Sequence, residues 1–450
     1  GPRGDDEWTI KHGKGAKAVG DGAPFSYDYI REEGRKGRIG AHLIAVVAEG
    51  LHGRLYLSPT PGQIGAANVP RPEIDEDGQI ATNPRWFSPP AYGLTKFSEL
   101  FTNRQLVAMT TLSDLVAEVR EQVMVDATIA GRNDGKRLEE GGSGAEAYAD
   151  AVATYLALGI SRLADRCSSL CGWDSSRDSV RNLFARQAIP MVWDYAETNP
   201  FSDSSGNFLG QVEWVTKVLN HVSVNAVGIA GQVGALGRSY CGLVVSTDPP
   251  YYDNIGYSDL SDFFYVWLRK SLRDIHPQVV GTVLAPKADE LVANPYRHDG
   301  KEGAERFFIE GFNSVFHCIR QGVHRELPMT VYYAYKQQDA KAGGATSTGW
   351  HTLLSGLIEA GWEITATWPM RSELANRMLS QGTNALASSI VLACRPRPVD
   401  ADSITRRLFV ARLKSELPEA LRTLMQGAIA PVDLAQAAIG PGISVFSRYA

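Results

Sequence analysis

The sequence predicts an α/β fold: the C-terminal half of an open, Rossmann-like sheet, joined to a mainly helical subdomain and closed by a helical tail. Three observations predict it. Apolar residues recur at helical spacing through 102–123, with a second helical stretch through 147–166. From Leu243 onward, short β-rich runs alternate with amphipathic helical runs. Past about Pro398 the chain reads as helix again. At 450 residues, 44% hydrophobic and 21% charged, the composition is that of an ordinary soluble globular protein of two or three domains.

Taken in order, residues 1–100 are rich in Gly and Pro and read as an irregular insertion packed on the core. They hold a helix or strand around Ala41–Ala48, a strand near Arg54–Leu57 and irregular connections through Pro59–Pro89. In 101–240, Leu106, Met109, Leu112, Leu115 and Val116 mark a helix to about Val123. Thr102 is its N-cap, a hydroxyl placed to accept from an amide the first turn leaves free. The Gly-rich turn Gly141–Gly144 leads to the helix Ala147–Arg166, and a further helical segment through Val180–Glu197, broken near Pro190, completes this subdomain.

The stretch 241–397 alternates. Leu243–Thr247 reads as a strand, and Leu260, Phe263, Phe264, Trp267, Leu268 and Leu272 mark one face of a helix, a core stripe by default. Asp259 and Asp262 open that helix and Arg269, Lys270 and Arg273 close it, as its dipole favours. Val331–Tyr335 is the next strand; Trp350, Leu353, Leu354, Leu357 and Ile358 trace a helix that Gly361 stops. Trp362, Ile364, Ala366 and Trp368 alternate along a strand, and Ser389–Cys394 supplies the last one. This order suits the C-terminal half of an open Rossmann-like sheet whose final two strands form an antiparallel pair. Residues 398–450 form the helical tail.

Asp248-Pro249-Pro250-Tyr251, which resembles the catalytic motif of DNA methyltransferases acting on exocyclic amino nitrogens, carries the chemistry that resemblance implies. Successive prolines forbid helix and central-strand hydrogen bonding, so the tetrapeptide sits at the C-terminal edge of the strand before it, where open α/β sheets bind ligands. An aromatic amine is a poor nucleophile because its lone pair is delocalised into the ring. Asp248 and the Pro249 carbonyl can accept its two hydrogens and hold the nitrogen pyramidal, with Pro250 adding no competing donor. Tyr251 then stacks on the target base, which must leave the duplex to be reached. The methyl moves in line from S-adenosylmethionine. The alternative reading is a strand followed by a proline turn.

The tetrapeptide resembles the motif of DNA methyltransferases that modify exocyclic amino nitrogens. With Tyr252-Asp253-Asn254-Ile255-Gly256-Tyr257-Ser258-Asp259-Leu260-Ser261-Asp262-Phe263-Phe264-Tyr265-Val266-Trp267-Leu268-Arg269 it is similar to one group, the large zinc-ribbon-containing adenine-specific DNA methylases. Phe101–Leu106, Ala293–His298, Asn384–Ser389 and Ile429–Leu434 are similar to the same group, so the resemblance runs from about Tyr29 to Ala450. It implies a bacterial or archaeal, site-specific DNA adenine methyltransferase that uses S-adenosylmethionine. It also implies a zinc ribbon before Tyr29, where this chain has a Gly-rich run from Gly13 to Gly22 and no cysteine.

Other patterns set bounds. No apolar run approaches the roughly 18 residues of a membrane span and no charged-then-apolar leader opens the chain, so a cytoplasmic location is expected. A formal net charge of -5 argues against a uniformly basic coat and leaves DNA contact to local patches. Arg395–Arg422, with Arg397, Arg406, Arg407, Arg412 and Lys414, is one candidate; a solvated helix face is its other reading. Of five cysteines, Cys241, Cys318 and Cys394 read as core, and Cys167 and Cys171 lack the further ligands that structural zinc needs, so no metal is expected.

A donor site needs a Gly-rich turn after a first strand and an acidic residue beyond. Gly228, Gly231, Gly234 and Gly237 lie too close to Thr247 to leave room for the intervening units, and Gly440-Pro441-Gly442 follows no β-rich run. Cofactor-binding residues are therefore unassigned. The chain reads as the C-terminal part of a longer protein, inactive alone. Two other classes stay open: an amino-methyltransferase for cytosine or RNA, and a non-catalytic DNA-binding or assembly module.

Overall fold

The computed structural model describes residues 10–11, 15–18, 21–133, 135–222, 228–252, 256–333, 348–371, 388–426 and 440–449. The fold is mixed α/β with small sheets, among them a four-stranded mixed one. The chain divides into two units, Gly1–Gln232 with Tyr257–Lys287, and Val233–Gly256 with Ala288–Ala450.

In the first unit, β1 (Ile10–Lys11), β2 (Gly15–Lys17) and β3 (Pro24–Phe25) pair antiparallel. Ser26 caps α1 (Tyr27–Arg35), accepting from Tyr29 N at 3.1 Å, and β4 (Val46–Gly50) pairs with β5 (Gly53–Leu57). Within the stretch expected to be irregular, Pro61–Ala67 is a helix, α2, because Thr60 and Gln63 form a reciprocal capping box and Pro61 suits the first turn. Thr102 caps α3 (Asn103–Ile129) as expected, with Gln105 reaching back to its amide at 2.9 Å.

The second long helix, α4 (Ala145–Ala164), is buried along Ala149, Ala153 and Ala157, small residues that let neighbouring helices approach closely. Beyond it come the short hairpin of β6 (Trp173–Asp174) and β7 (Ser179–Val180). The helical segment expected through Val180–Glu197 is not one, because its backbone is engaged elsewhere. Asp165 accepts from Phe184 N at 2.9 Å, Ile189 N donates to Trp86 O at 2.7 Å and Ser88 N to Ile189 O at 3.2 Å. Only a 3-10 turn at Leu183–Ala185 is helical there, and the helix of this region is instead α5 (Phe208–Leu219), capped by Asn207.

The helix read after the tetrapeptide is α6 (Tyr257–Leu272), and it belongs with the first unit, where it packs on α3 and α4. Leu260, Phe263, Trp267 and Leu272 are buried, and the Phe263 ring stacks on Phe101 at 5.6 Å. Asp259 and Asp262 do more than flank a dipole, since both are buried. Asp262 pairs with Lys287 at 2.7 Å and accepts from Ala285 N at 2.8 Å, tying the chain beyond α7 (Pro277–Val280) back to α6.

The second unit is built on β8 (Ser246–Thr247), β9 (Met329–Tyr333), β10 (Trp362–Arg371) and β11 (Ser388–Pro396), in the order β10-β11-β9-β8. β8 and β9 run parallel; β9–β11 and β11–β10 are antiparallel. The strand expected at Leu243–Thr247 is shorter than read: only Ser246 and Thr247 pair in the ladder, Val245 O adds a bond from Thr330 N, and Val244 is exposed. β9 ends the described chain at Tyr333, so the rest of the expected strand to Tyr335 lies outside the described residues.

The helix α8 (Lys301–Gly322), absent from the sequence reading, lies between β8 and β9 in this unit. Its Phe308, Phe312, Phe316 and Ile319 join Met329, Val331, Trp362, Ile364 and Leu392 in one apolar cluster. The helix α9 (Thr348–Glu359) ends as expected, with Gly361 at φ 81°. A bulge between Ile364 and Ala366 breaks the alternation of β10, which buries Trp362 and Ile364 and exposes Trp368. The tail is α10 (Arg406–Gln426) and a short helix over 440–447.

Candidate active site

The tetrapeptide follows β8 directly, at the C-terminal edge of the parallel pair. Asp248 is exposed; Pro249, Pro250 and Tyr251 are half-buried. Among the described residues no ion pair reaches the Asp248 carboxylate.

Tyr251 is set by aromatic packing that sequence reasoning missed. Its ring meets Tyr333, at the end of β9, edge to face at 5.0 Å and 79°, and Tyr333 meets Trp350, in the first turn of α9, at 5.4 Å and 77°. Gly349 makes this packing possible, since a Cβ there would lie 2.8 Å from Tyr333 Oη and 3.2 Å from Tyr252 Cβ. The available signal was that a strand neighbouring β8 ends in an aromatic residue. Two successive tyrosines thus divide the work: Tyr251 borders the edge, and Tyr252 turns inward against Phe308 at 5.2 Å.

Tyr252 O also accepts from Ala293 N at 2.8 Å, which pins Ala293–His298 beside the tetrapeptide. In that segment buried Asn294 accepts from Tyr296 N at 3.0 Å, Arg297 pairs with Glu290 at 2.7 Å, and Tyr296 stands exposed. His298 lies flat on Phe307 at 3.9 Å and 18°. Burial, and then the neighbouring Arg297 charge, hold its imidazole below the ordinary histidine range. Of the other segments singled out in the sequence, Phe101–Leu106 lies in the first unit, whereas 384–387 and 429–434 lie outside the described residues.

The remaining candidates separate cleanly. The glycines at 228–237 belong to no helix or strand. Cys167 and Cys171 are buried, Cys171 Sγ sits 3.3 Å from Ser168 Oγ, and burial pushes the Cys167 thiol up to about 12. Among the described residues no group of three or more His, Cys, Asp or Glu side chains is placed to hold a metal. Cys394 is buried and Cys318 half-buried, but Cys241 is exposed, because the turn closed by Leu243 N on Tyr240 O at 3.2 Å puts it at the apex. Arg397 is committed to the fold, donating to Tyr449 O at 3.0 Å, while Arg406, Arg407, Arg412 and Lys414 are exposed. No described helix is long and apolar enough to cross a membrane.

Compared with known proteins, the chain matches no family model, no curated protein and no solved structure.

Proposed function

We propose that the second unit is the amine-gripping half of an S-adenosylmethionine-dependent DNA methyltransferase that acts on the exocyclic amino group of adenine, in the cytoplasm. One observation carries the reading. Asp248-Pro249-Pro250-Tyr251 stands at the C-terminal edge of β8, in a sheet whose parallel pair is followed by an inserted antiparallel hairpin, β10 and β11. This order and polarity support reading the sheet as the C-terminal half of a Rossmann-like class I methyltransferase, in which the motif would fall on the ligand-binding edge. The resemblance to the zinc-ribbon-containing adenine-specific methylases points the same way.

In this reading the flipped base lies on Tyr251, and Asp248 and the Pro249 carbonyl accept the two amino hydrogens. Both acceptors strengthen as the nitrogen acquires positive charge, so they bind the transition state better than the ground state. The N–C bond forms as the donor's S–C bond breaks, and the surplus proton leaves to water. A donor site would lie beside β8, the outermost strand of this sheet among the described residues. Exposed Arg406, Arg407, Arg412 and Lys414 supply local phosphate contacts.

The test is methyl transfer from labelled S-adenosylmethionine to DNA by the protein in the form in which the cell makes it, with the product nucleoside identified by mass spectrometry. N6-methyladenine is expected, and Asp248→Ala should lower the rate by about 10²–10³-fold while the circular dichroism spectrum is kept. Wild-type transfer by Asp248→Ala would sink the assignment. Methylated cytosine or RNA would favour the other acceptors. The absence of a Gly-rich turn on a strand among the described residues favours a second reading for the isolated chain, a non-catalytic DNA-binding or assembly module. Calorimetry on the isolated chain should find no donor binding; tight binding would reveal a cofactor site within it.

A further inference from the structure

We infer that the outward face of α4 and α5 in the first unit is a binding surface for single-stranded nucleic acid. Helix α4 is buried around most of its girth, by Ala149, Ala153, Ala157, Ile160 and Leu163 among others. The exposed side chains it keeps are Tyr148, Tyr155 and Leu158, at 47%, 39% and 42%, and Arg162. Positions 148, 155 and 162 are one heptad apart and 158 falls between the last two, so they form a single stripe about 21 Å long.

Each end of the stripe carries a cation on an aromatic face. The Arg132 guanidinium lies 4.9 Å from the Tyr148 ring centre. At the other end Arg162 lies 5.5 Å, and Lys217 5.1 Å, from the ring of Trp214, which is 54% exposed on α5. The two helices approach closely where Gly159 faces Val212, which joins Trp214 to the stripe.

Single exposed aromatics need no explanation, but a continuous one on an otherwise buried helix does. The acidic side chains of α4, Glu146 and Asp150, are engaged by Arg120, at 3.4 Å and 2.6 Å. Glu213 is paired with Lys217 at 3.6 Å. An apolar stripe alone would suit a helix of another protein. Cations laid on flat rings suit a ligand that is itself flat and anionic, since guanidinium and aromatic planes both stack on bases while the charge meets phosphate. Bases must be unpaired to offer those faces. The site is independent of the methyl-transfer reading and lies in the other unit from Asp248.

The experiment is fluorescence anisotropy of the full chain with labelled oligo-dT and oligo-rU at two salt concentrations, without methyl donor. Wild type should bind at least one of them, the pair of oligomers separating DNA from RNA. Tyr155→Ala and Trp214→Ala should each weaken binding about tenfold, and Trp214→Phe should restore most of it. Arg132→Gln with Arg162→Gln should flatten the salt dependence. Thymine and uracil carry no exocyclic amine and no methyl donor is present, so failure here and failure of the methyl-transfer reading are distinguishable. No binding by wild type, or unchanged binding by both alanine variants with intact thermal unfolding, overturns the proposal. So does a wild-type dimer that Trp214→Ala dissolves without affecting oligomer binding.

Discussion

Asp150 and Asp262 in the first unit and Asp248 in the second are placed differently. In the first, Asp150 is 1% and Asp262 2% exposed; each is matched to a cation, Asp150 to Arg120 at 2.6 Å and Asp262 to Lys287 at 2.7 Å. In the second, the sheet is held by an apolar cluster of Phe308, Val331, Trp350, Trp362 and their neighbours, and Asp248 stands exposed on its edge. A buried, paired carboxylate is committed to the fold, because breaking the pair strands a charge. An exposed one on a rigid apolar platform is free to meet a ligand. Aromatic packing under Tyr251 supplies that platform without drawing on Asp248.

The contrast can be broken in four ways. The largest effect belongs to the apolar cluster: Phe308→Ala should destabilise the second unit by about 4 kcal/mol, read as a lowered denaturation midpoint. A loss under 1 kcal/mol would mean that the cluster does not carry the sheet. Next, Lys287→Met leaves Asp262 buried without its cation and should cost about 3 kcal/mol at neutral pH.

The pH dependence of that variant has a definite sign. Burial already raises the Asp262 carboxyl above the ordinary aspartate range, against the pull of Lys287. The folded state therefore binds the proton more tightly than the unfolded state. Its contribution is fully present below the unfolded value and is lost as pH rises through the folded one. Lys287→Met raises the folded value further, so the variant should recover stability on acidification from neutral pH toward the unfolded carboxylate range. Equal destabilisation at every pH would disconnect Lys287 from Asp262.

Gly349→Ala should cost about 2 kcal/mol, the usual scale of overpacking. It should also impair methyl transfer while Tyr333→Phe, which removes the oxygen nearest that site, relieves part of the damage in the double variant. The smallest effect sharpens the contrast most. Asp248→Asn should change stability by no more than about 0.5 kcal/mol, while Asp262→Asn moves it measurably. A large stability change at Asp248 would make it a structural carboxylate.

What the sequence disclosed depended on the range of the interaction. The cap at Thr102, the stop at Gly361 and the hairpin β10–β11 rest on neighbours in the chain or on adjoining strands, and all three were read. Helix α8 was missed although its phenylalanines keep helical period, since Gly303 and Gly311 weaken the local helix signal and Gly311 is there to admit Leu291. The stripe on α6 showed that one face is covered, but an amphipathic pattern does not say by which unit. The tetrapeptide was legible as a motif; Tyr333, Gly349 and Trp350 beneath it were not, because a contact between residues so distant in sequence leaves no local pattern.

The pairing of β8 also has a history. Ser246 waits for Thr330, 84 residues later, before its ladder can close. At roughly 5–20 residues per second that is a delay of about 4–17 s during synthesis. Throughout it Val245, Ser246 and Thr247 have no strand to pair with on the nascent chain. In between, the ribosome delivers α6, whose partners α3 and α4 have already emerged, so the first unit can finish while the second is still incomplete. The order of translation thus favours the helical unit and leaves the sheet strand as the segment most in need of chaperone protection.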